Sequence, residues 1–269
     1  MDRANSILIA GYGTMTSAMV EGWLRAGLPS SAIIACGPNP KPVPAGMRFV
    51  TGVPEGEFDL VLLGMKPQKL AEAAPAIEPV VGPGTVLVSV LAGIELASLA
   101  RHFPRAGAVV RLMPNLAAAL GKSPVALVAQ GLDDEQRRAV SGLAGMLGSA
   151  EWVADESQFE LIAALAGSGP GFLYRFIDAL TVGATHLGLE EAQAQRLAVQ
   201  MVEGAAALAS ASRRSPAELA RQVASPGGMT QKGLDVLDQD EAMIRLVTET
   251  LRAARDRGRE MAQAARDEG

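Results

Sequence analysis

The chain has 269 residues, 49% of them apolar and 20% charged, enough for one large domain or two ordinary ones with a sizeable core. Its formal charge of −5 is uneven, with 12 acids and 12 bases in residues 1–154 against 17 acids and 12 bases in residues 155–269, and neither half has the basic face of a nucleic-acid binder. One cysteine, Cys36, and two distant histidines, His102 and His186, leave no intrachain disulfide and argue against a zinc site.

The N-terminal stretch MDRANSILIAGYG lacks the apolar core and cleavage site of a signal peptide. The long uncharged run at 79–94 is broken by Gly-Pro-Gly and falls short of the ~20 apolar residues of a spanning helix. A cytoplasmic chain without a membrane partner is expected. Short apolar, β-branched runs at 6–10, 32–36, 60–64, 85–90, 108–112 and 125–129 read as strands covered on both faces. Between them 17–26, 68–77 and 133–147 read as amphipathic helices, the last opening with an aspartate cap and acids in its first turn. The alternation predicts βαβ units. Residues 37–46, GPNPKPVPAG, read as a loop, and Cys36 before it as a small buried hydrophobe or a reactive thiol.

From about Asp155 the strand patterns stop, and 158–187, 190–211, 216–223 and 241–265 read as helices. The expected organisation is an α/β domain over 1–154 and an all-α helical domain over 155–269. In the last segment Ile244, Val247, Leu251, Ala254, Gly258, Met261 and Ala265 form a narrow seam, suited to packing within a bundle or to a subunit contact.

Directly after the first strand comes Gly-Tyr-Gly-Thr-Met-Thr. Gly11 and Gly13 permit a tight turn and the close approach of a diphosphate to main-chain N–H groups at a helix start, where the dipole favours an anion. The first half is therefore read as a Rossmann-type dinucleotide-binding domain. Thr16 stands where a third glycine or an alanine would let the helix pack closely; a slightly displaced helix is one expectation, with the anion site kept. The second strand runs into Cys36, Gly37, Pro38, Asn39, Pro40 and Lys41, with no acid to bind a ribose diol. Asn39 and Lys41 can meet a 2′-phosphate, which favours NADPH and leaves NADH open; Lys41 is equally read as a solvated loop charge.

The stretch VASPGGMTQKG, 223–233, interrupts the helical half with a proline, adjacent glycines and two hydroxyls. Ser225, Pro226, Gly227, Gly228 and Thr230 suggest exposed N–H groups and hydroxyls aimed at a ligand. Six motifs then stand in order: GYGTM (11–15), MKPQ (65–68), SVLAGI (89–94), VVRLMPN (109–115), LAGSGPGFLYRFIDAL (165–180) and VASPGGMTQKGLDVLDQD (223–240). With them the chain resembles pyrroline-5-carboxylate reductases, enzymes of the last step of proline biosynthesis, along essentially its whole length.

The resemblance implies an oxidoreductase that reduces 1-pyrroline-5-carboxylate, a cyclic imine carboxylate, to L-proline by hydride transfer from NADPH. It also implies a homodimer, assembled further as a decamer of five dimers, whose helical dimerisation domains interlock so that each active site draws on both subunits. Gly11, Tyr12, Gly13, Thr14 and Met15 would meet the diphosphate, Met65, Lys66 and Pro67 the adenosine end, and Ala92 and Gly93 the nicotinamide side. Asn115 and the turn from Gly167 through Ser168 to Pro170 would border the pocket. Ser225, Gly227, Gly228, Met229 and Thr230 would hold the substrate carboxylate, with Thr230 also hydrogen-bonding the ring nitrogen. Two departures stand out: Gly171 and Phe172 replace the family's usual Ala-Tyr, and 49–59 offers no counterpart to a ribose-binding or phosphate-binding asparagine.

Reducing a cyclic imine needs a hydride at the C=N carbon, a proton on nitrogen and an anion site to fix the ring, so positioning does most of the work. Thr230 is too weak an acid to protonate an amine anion alone; it is read as the catalytic orienting donor, with solvent protonating the imine or water supplying the proton. Lys232 either adds positive potential or is a solvated side chain at the start of the next helix. Three other readings stay open: reduction of a related cyclic imine, a β-hydroxyacid-type dehydrogenase with Lys232 as its acid or base, and a non-enzymatic dinucleotide-binding protein.

Overall fold

Eight strands form one sheet in the computed structural model, which describes residues 6–267. They are β1 (Ile7–Ala10), β2 (Ile33–Gly37), β3 (Arg48–Thr51), β4 (Leu60–Leu63), β5 (Val86–Ser89), β6 (Ala108–Met113), β7 (Ser123–Gln130) and β8 (Gly148–Trp152). Their order is β3-β2-β1-β4-β5-β6-β7-β8. Every neighbouring pair is parallel except β6 with β7. The chain leaves β1 to one side for β2 and returns to its other side for β4, which places the topological switch point, where open α/β sheets bind ligands, at the carboxyl ends of β1 and β4.

Helices α1 (Thr14–Arg25), α2 (Leu70–Ile77), α3 (Leu96–His102) and α4 (Asp134–Leu147) cover the sheet. Alternation along each strand sorts its side chains between two cores. Ile7 and Ile9 of β1 join Met19 and Trp23 of α1 and Leu143 and Leu147 of α4. Leu8 and Ala10 join Leu70 and Ile77 of α2 and Leu99 of α3. Cys36 is buried in the second core, and burial pushes its thiol up to about 11, so it serves as a small hydrophobe, as the first of the two sequence readings has it.

The six expected strands are present within a residue or two. Two more, β3 and β8, lie at the two sheet edges, where their residues are only half-buried; a criterion built on strands apolar on both faces passes over them. The loop expected at 37–46 has neither helix nor strand beyond the end of β2.

After β8 the chain is helical: α5 (Phe159–Ile162), a π-helical turn (Ala163–Gly167), α6 (Gly169–His186), α7 (Glu191–Ala211), α8 (Pro216–Val223), α9 (Met229–Asp238) and α10 (Ala242–Asp267). Helix α3, seven residues long, is an addition to the sequence reading, and α9 begins at Met229, inside the stretch read as a loop and ahead of the helix start expected at Lys232.

The chain divides into two compact units, one formed by residues up to Ser168 together with those from Ala253 onward, the other by Gly169–Arg252. The first holds both cores. In the second, α6 packs on α7, and Thr181, Ala194 and Ala198 are the only side chains buried, while Leu187, Leu208, Ile244 and Leu246 are 91%, 61%, 63% and 64% exposed. Among the described residues no helix is long and apolar enough to cross a membrane, and no group of three or more metal-ligating side chains is present.

Candidate active site

The glycine turn sits at the switch point. Gly11 has φ +95°, and a Cβ there would lie 2.5 Å from the Met65 nitrogen, so both the backbone angle and the space demand glycine. The turn is tied to both neighbouring strands: Gly11 N–H donates to the Cys36 carbonyl at 2.9 Å, and Gly64 N–H to that of Ala10 at 2.8 Å. Gly13 caps α1, and the first helical bond runs from Ser17 N–H to Gly13 O. The N–H groups of Thr14, Met15 and Thr16 therefore open the helix without intrahelical partners, with no acid in the first turn.

Thr16 is fully buried and fills its place in two ways. Its Oγ1 accepts the Gly13 N–H at 2.8 Å and faces the Gly11 and Gly13 carbonyls at 3.2 and 3.1 Å. Its methyl occupies the space a Cβ at Gly64 would take, 2.3 Å away. The close approach expected from a third glycine on the helix is thus supplied by a glycine following β4.

The other nucleotide-side residues follow the carboxyl ends of neighbouring strands. Asn39 is exposed in the loop after β2. Lys41, exposed in the same loop, reaches back so that its Nζ donates to the Tyr12 carbonyl at 2.6 Å, which holds this cation at the glycine turn. Met65 follows β4, and Lys66, exposed, caps the short 3-10 turn Pro67–Lys69. Ala92 is exposed after β5, whereas Gly93, at φ +75°, is buried under α10: a Cβ there would lie 2.8 Å from the Met261 Cβ. Pro67, Gln68, Ala92, Ile94 and Met261 line a cleft of about 170 Å³.

Asn115 does not offer its side chain to a ligand. Its Oδ1 accepts from Ala117 N–H at 2.9 Å, its Nδ2 donates to the Ala166 carbonyl at 2.8 Å, and its own N–H donates to Ser123 Oγ at 2.9 Å. Asn115 is a strut for the π-helical turn that delivers Ser168, which is exposed at the end of its unit. Such turns are uncommon and recur at functional sites.

In the second unit, the stretch after α8 folds tightly. Gly228 N–H donates to the Ser225 carbonyl at 2.9 Å, Gly227 has φ +72°, and a Cβ at Gly228 would lie 2.3 Å from Ser225 Oγ. Gly228 then caps α9 without any side-chain hydrogen bond. The first helical bond runs from Lys232 N–H to Gly228 O at 3.1 Å, so the N–H groups of Met229, Thr230 and Gln231 open α9 unpartnered within the helix, with no acid in its first turn. An uncapped N-terminus of this kind, next to Ser225 and Thr230 and with Met229 94% exposed, suits a carboxylate.

Lys232 lies within α9; its side chain is 75% exposed and 3.4 Å from Asp235 Oδ2, which fits the solvated reading. His102 and His186 end α3 and α6; burial and then the neighbouring Arg101 charge hold the His102 imidazole below its usual range.

One residue escaped sequence reasoning. Arg111, inside VVRLMPN, is 2% exposed and pairs with Glu156 at 2.9 Å and Glu160 at 2.6 Å. The signal was a lone charge in an otherwise apolar strand, which a central position tolerates only when the charge is paired.

A family model described as pyrroline-5-carboxylate reductase dimerisation matches residues 156–261, and one described as NADP oxidoreductase, coenzyme F420-dependent, matches residues 6–93. The pyrroline-5-carboxylate reductase of Pseudomonas aeruginosa is 32% identical over 265 residues, 96% of this chain and 97% of that one. The structure of the Coxiella burnetii pyrroline-5-carboxylate reductase superposes with a TM-score of 0.86 at 25% identity, covering 97% of this chain and 99% of that one. The Plasmodium falciparum pyrroline carboxylate reductase, solved with NADP bound, shares the fold with a TM-score of 0.83 at 20% identity over 96% and 98% of the two chains. With a Rossmann sheet whose glycine turn lies at the switch point, a dimerisation-domain match after it in sequence and a relative matched nearly end to end, the chain belongs to the pyrroline-5-carboxylate reductase family.

Proposed function

We propose that this protein reduces 1-pyrroline-5-carboxylate to L-proline with NADPH. The observation that carries the reading is the start of α9, an uncapped helix N-terminus with two hydroxyls and three open N–H groups directly after Ser-Pro-Gly-Gly. A carboxylate set there fixes the ring, and Thr230 Oγ1 orients the ring nitrogen; the proton comes from solvent, since a threonine hydroxyl is too weak an acid. Ser168, Gly227, Gly228 and Met229 complete the substrate side.

The nucleotide side fits a phosphorylated dinucleotide. A glycine cradle that a Cβ at Gly11 would fill, open N–H groups at Thr14 and Met15, and Lys41 at the turn with Asn39 nearby in sequence suit two clusters of phosphate charge. Tyr12, Gly13 and Met15 belong to the same turn, Met65, Lys66 and Pro67 to the adenosine end, and Ala92 with Gly93 to the nicotinamide end. When bound, NADPH supplies the hydride.

The functional boundary is placed at 154/155, just beyond β8, and the second unit's lack of a core supports an interlocked homodimer, with a decamer of five dimers as its higher assembly. A cytoplasmic setting fits a chain whose one cysteine is buried. The test is NADPH oxidation with 1-pyrroline-5-carboxylate beside related cyclic imines and NADH. Turnover is expected to favour the pyrroline carboxylate and NADPH by at least about tenfold each; absence of turnover at high enzyme concentration sinks the reading.

A further inference from the structure

The buried guanidinium of Arg111 has two arms, and both lead to the same turn. Through Nη1 it holds Glu156 Oε1 at 2.9 Å, and that oxygen also accepts the Leu96 N–H at 2.9 Å, pinning the far end of the turn 91–96. Through Nη2 it holds Glu160 Oε1 at 2.6 Å, and α10 presses Gly258 against the same carboxylate, where a Cβ would lie 2.5 Å from Glu160 Oε2. Three residues along α10, Met261 and the Ala262 nitrogen cover Gly93, with 2.8 and 3.1 Å left for a Cβ. The guanidinium also lies 4.1 Å over the Phe159 ring, and its Nε is buried without a partner.

A buried ion pair is weak evidence for stability by itself, because desolvation offsets most of its attraction. What distinguishes this one is its connectivity. We propose that Arg111 is a positioning residue for the hydride step: Glu156 clamps the turn 91–96 from its Leu96 end, and Glu160, through α10, clamps it over Gly93. The proposal rests on the reading that the turn carrying Ala92 and Gly93 lies at the nicotinamide, with the exposed Ala92 toward it. A turn free to shift by an ångström would lose the near-attack geometry while leaving the phosphate contacts of the nucleotide, made elsewhere, in place.

Glu156 is the residue to test, since its side chain is 27% exposed and Glu160 remains to pair Arg111. In Glu156→Ala, amide hydrogen exchange over 91–96 is expected to rise about tenfold or more, and kcat for 1-pyrroline-5-carboxylate to fall by about tenfold or more. KM for NADPH should stay within about threefold, and the primary deuterium isotope effect from 4-deuterated NADPH should grow as hydride transfer becomes limiting. Glu156→Gln keeps an acceptor for Leu96 and should restore the exchange pattern and most of kcat. Unchanged exchange at 91–96 in Glu156→Ala overturns the clamp; faster exchange with wild-type kcat and isotope effect overturns its role in positioning. If the wild-type protein turns over no pyrroline carboxylate, the functional reading falls, and the exchange data still decide the clamp.

Discussion

Residues up to Ser168 bury two cores around a sheet, whereas Gly169–Arg252 buries three side chains and leaves leucines, isoleucine and methionine open. In the first unit nearly every unusual residue is explained by its own chain: Gly11 by Met65, Gly64 by Thr16, Gly93 by Met261. In the second, the glycines of the Ser-Pro-Gly-Gly turn are explained locally, but Tyr174 of α6, Leu208 of α7 and Ile244 of α10 stay largely exposed. A helical layer with so little burial cannot offset its own ordering entropy, so its sequence makes sense as one half of a core completed by a second copy.

Charging the exposed apolar face of the second unit should have the largest effect. Leu208→Glu or Ile244→Glu should dissociate the dimer in light scattering and lower activity by about a hundredfold or more, since a carboxylate cannot be buried unpaired. The wild-type thermal midpoint should rise with protein concentration, as it must when folding and association are linked; a concentration-independent midpoint would show that the second unit stands alone. Next in size, Gly11→Ala places a methyl on the Met65 backbone at a positive φ, and should abolish NADPH binding measured by fluorescence quenching while costing about 2 kcal/mol or more in urea unfolding. Thr230→Val should lower kcat by about ten- to a hundredfold with KM for NADPH unchanged. Lys232→Ala, exposed and paired only with Asp235, should stay within about threefold; the reverse pattern would favour a lysine-based dehydrogenase.

The two units also differed in how legible they were. Six strands of the first were readable because their residues are apolar on both faces, and the glycine turn because its position after β1 is specific. The edge strands β3 and β8 were not, because half of their side chains face outward. On the candidate site, residue types were readable and tertiary bonds were not. Nothing in the one-dimensional pattern says that Lys41 reaches Tyr12, that Asn115 is spent on Ala166, or that Thr16 is matched by Gly64 across the sheet. In the second unit the start of α9 was hidden because its first turn, Met-Thr-Gln-Lys-Gly, has loop composition, and that uncapped start is the feature on which the proposed chemistry depends. Thr16→Ala tests the pairing with Gly64: it removes the acceptor for the Gly13 N–H and should cost about 1 kcal/mol, read as a lower thermal midpoint.

The smallest expected effect is acid sensitivity, to which both units contribute depressed carboxyls, the first through Asp155 held by Ser157. In the second, Glu190 accepts from Ala192 and Gln193 N–H at 2.9 and 2.8 Å, and these backbone donors hold its carboxyl below the usual range. Ser215 does the same to Glu218 through its N–H and hydroxyl. A carboxyl depressed by folding stabilises the fold above its unfolded value, about 4.3 for glutamate, and this contribution is lost as pH falls through the folded value. In the first unit, His102 is depressed by burial and by Arg101, so its contribution is complete above about 6.5 and fades as pH drops from there. Thermal midpoints followed from pH 7 to 3 should therefore decline in two stages. His102→Gln should flatten the stage that begins near neutrality, and Glu190→Gln, which keeps an acceptor for both N–H groups but cannot ionise, should flatten the acidic one. If both substitutions altered the same stage, the assignment of the two stages to the His102 imidazole and the Glu190 carboxyl would fail.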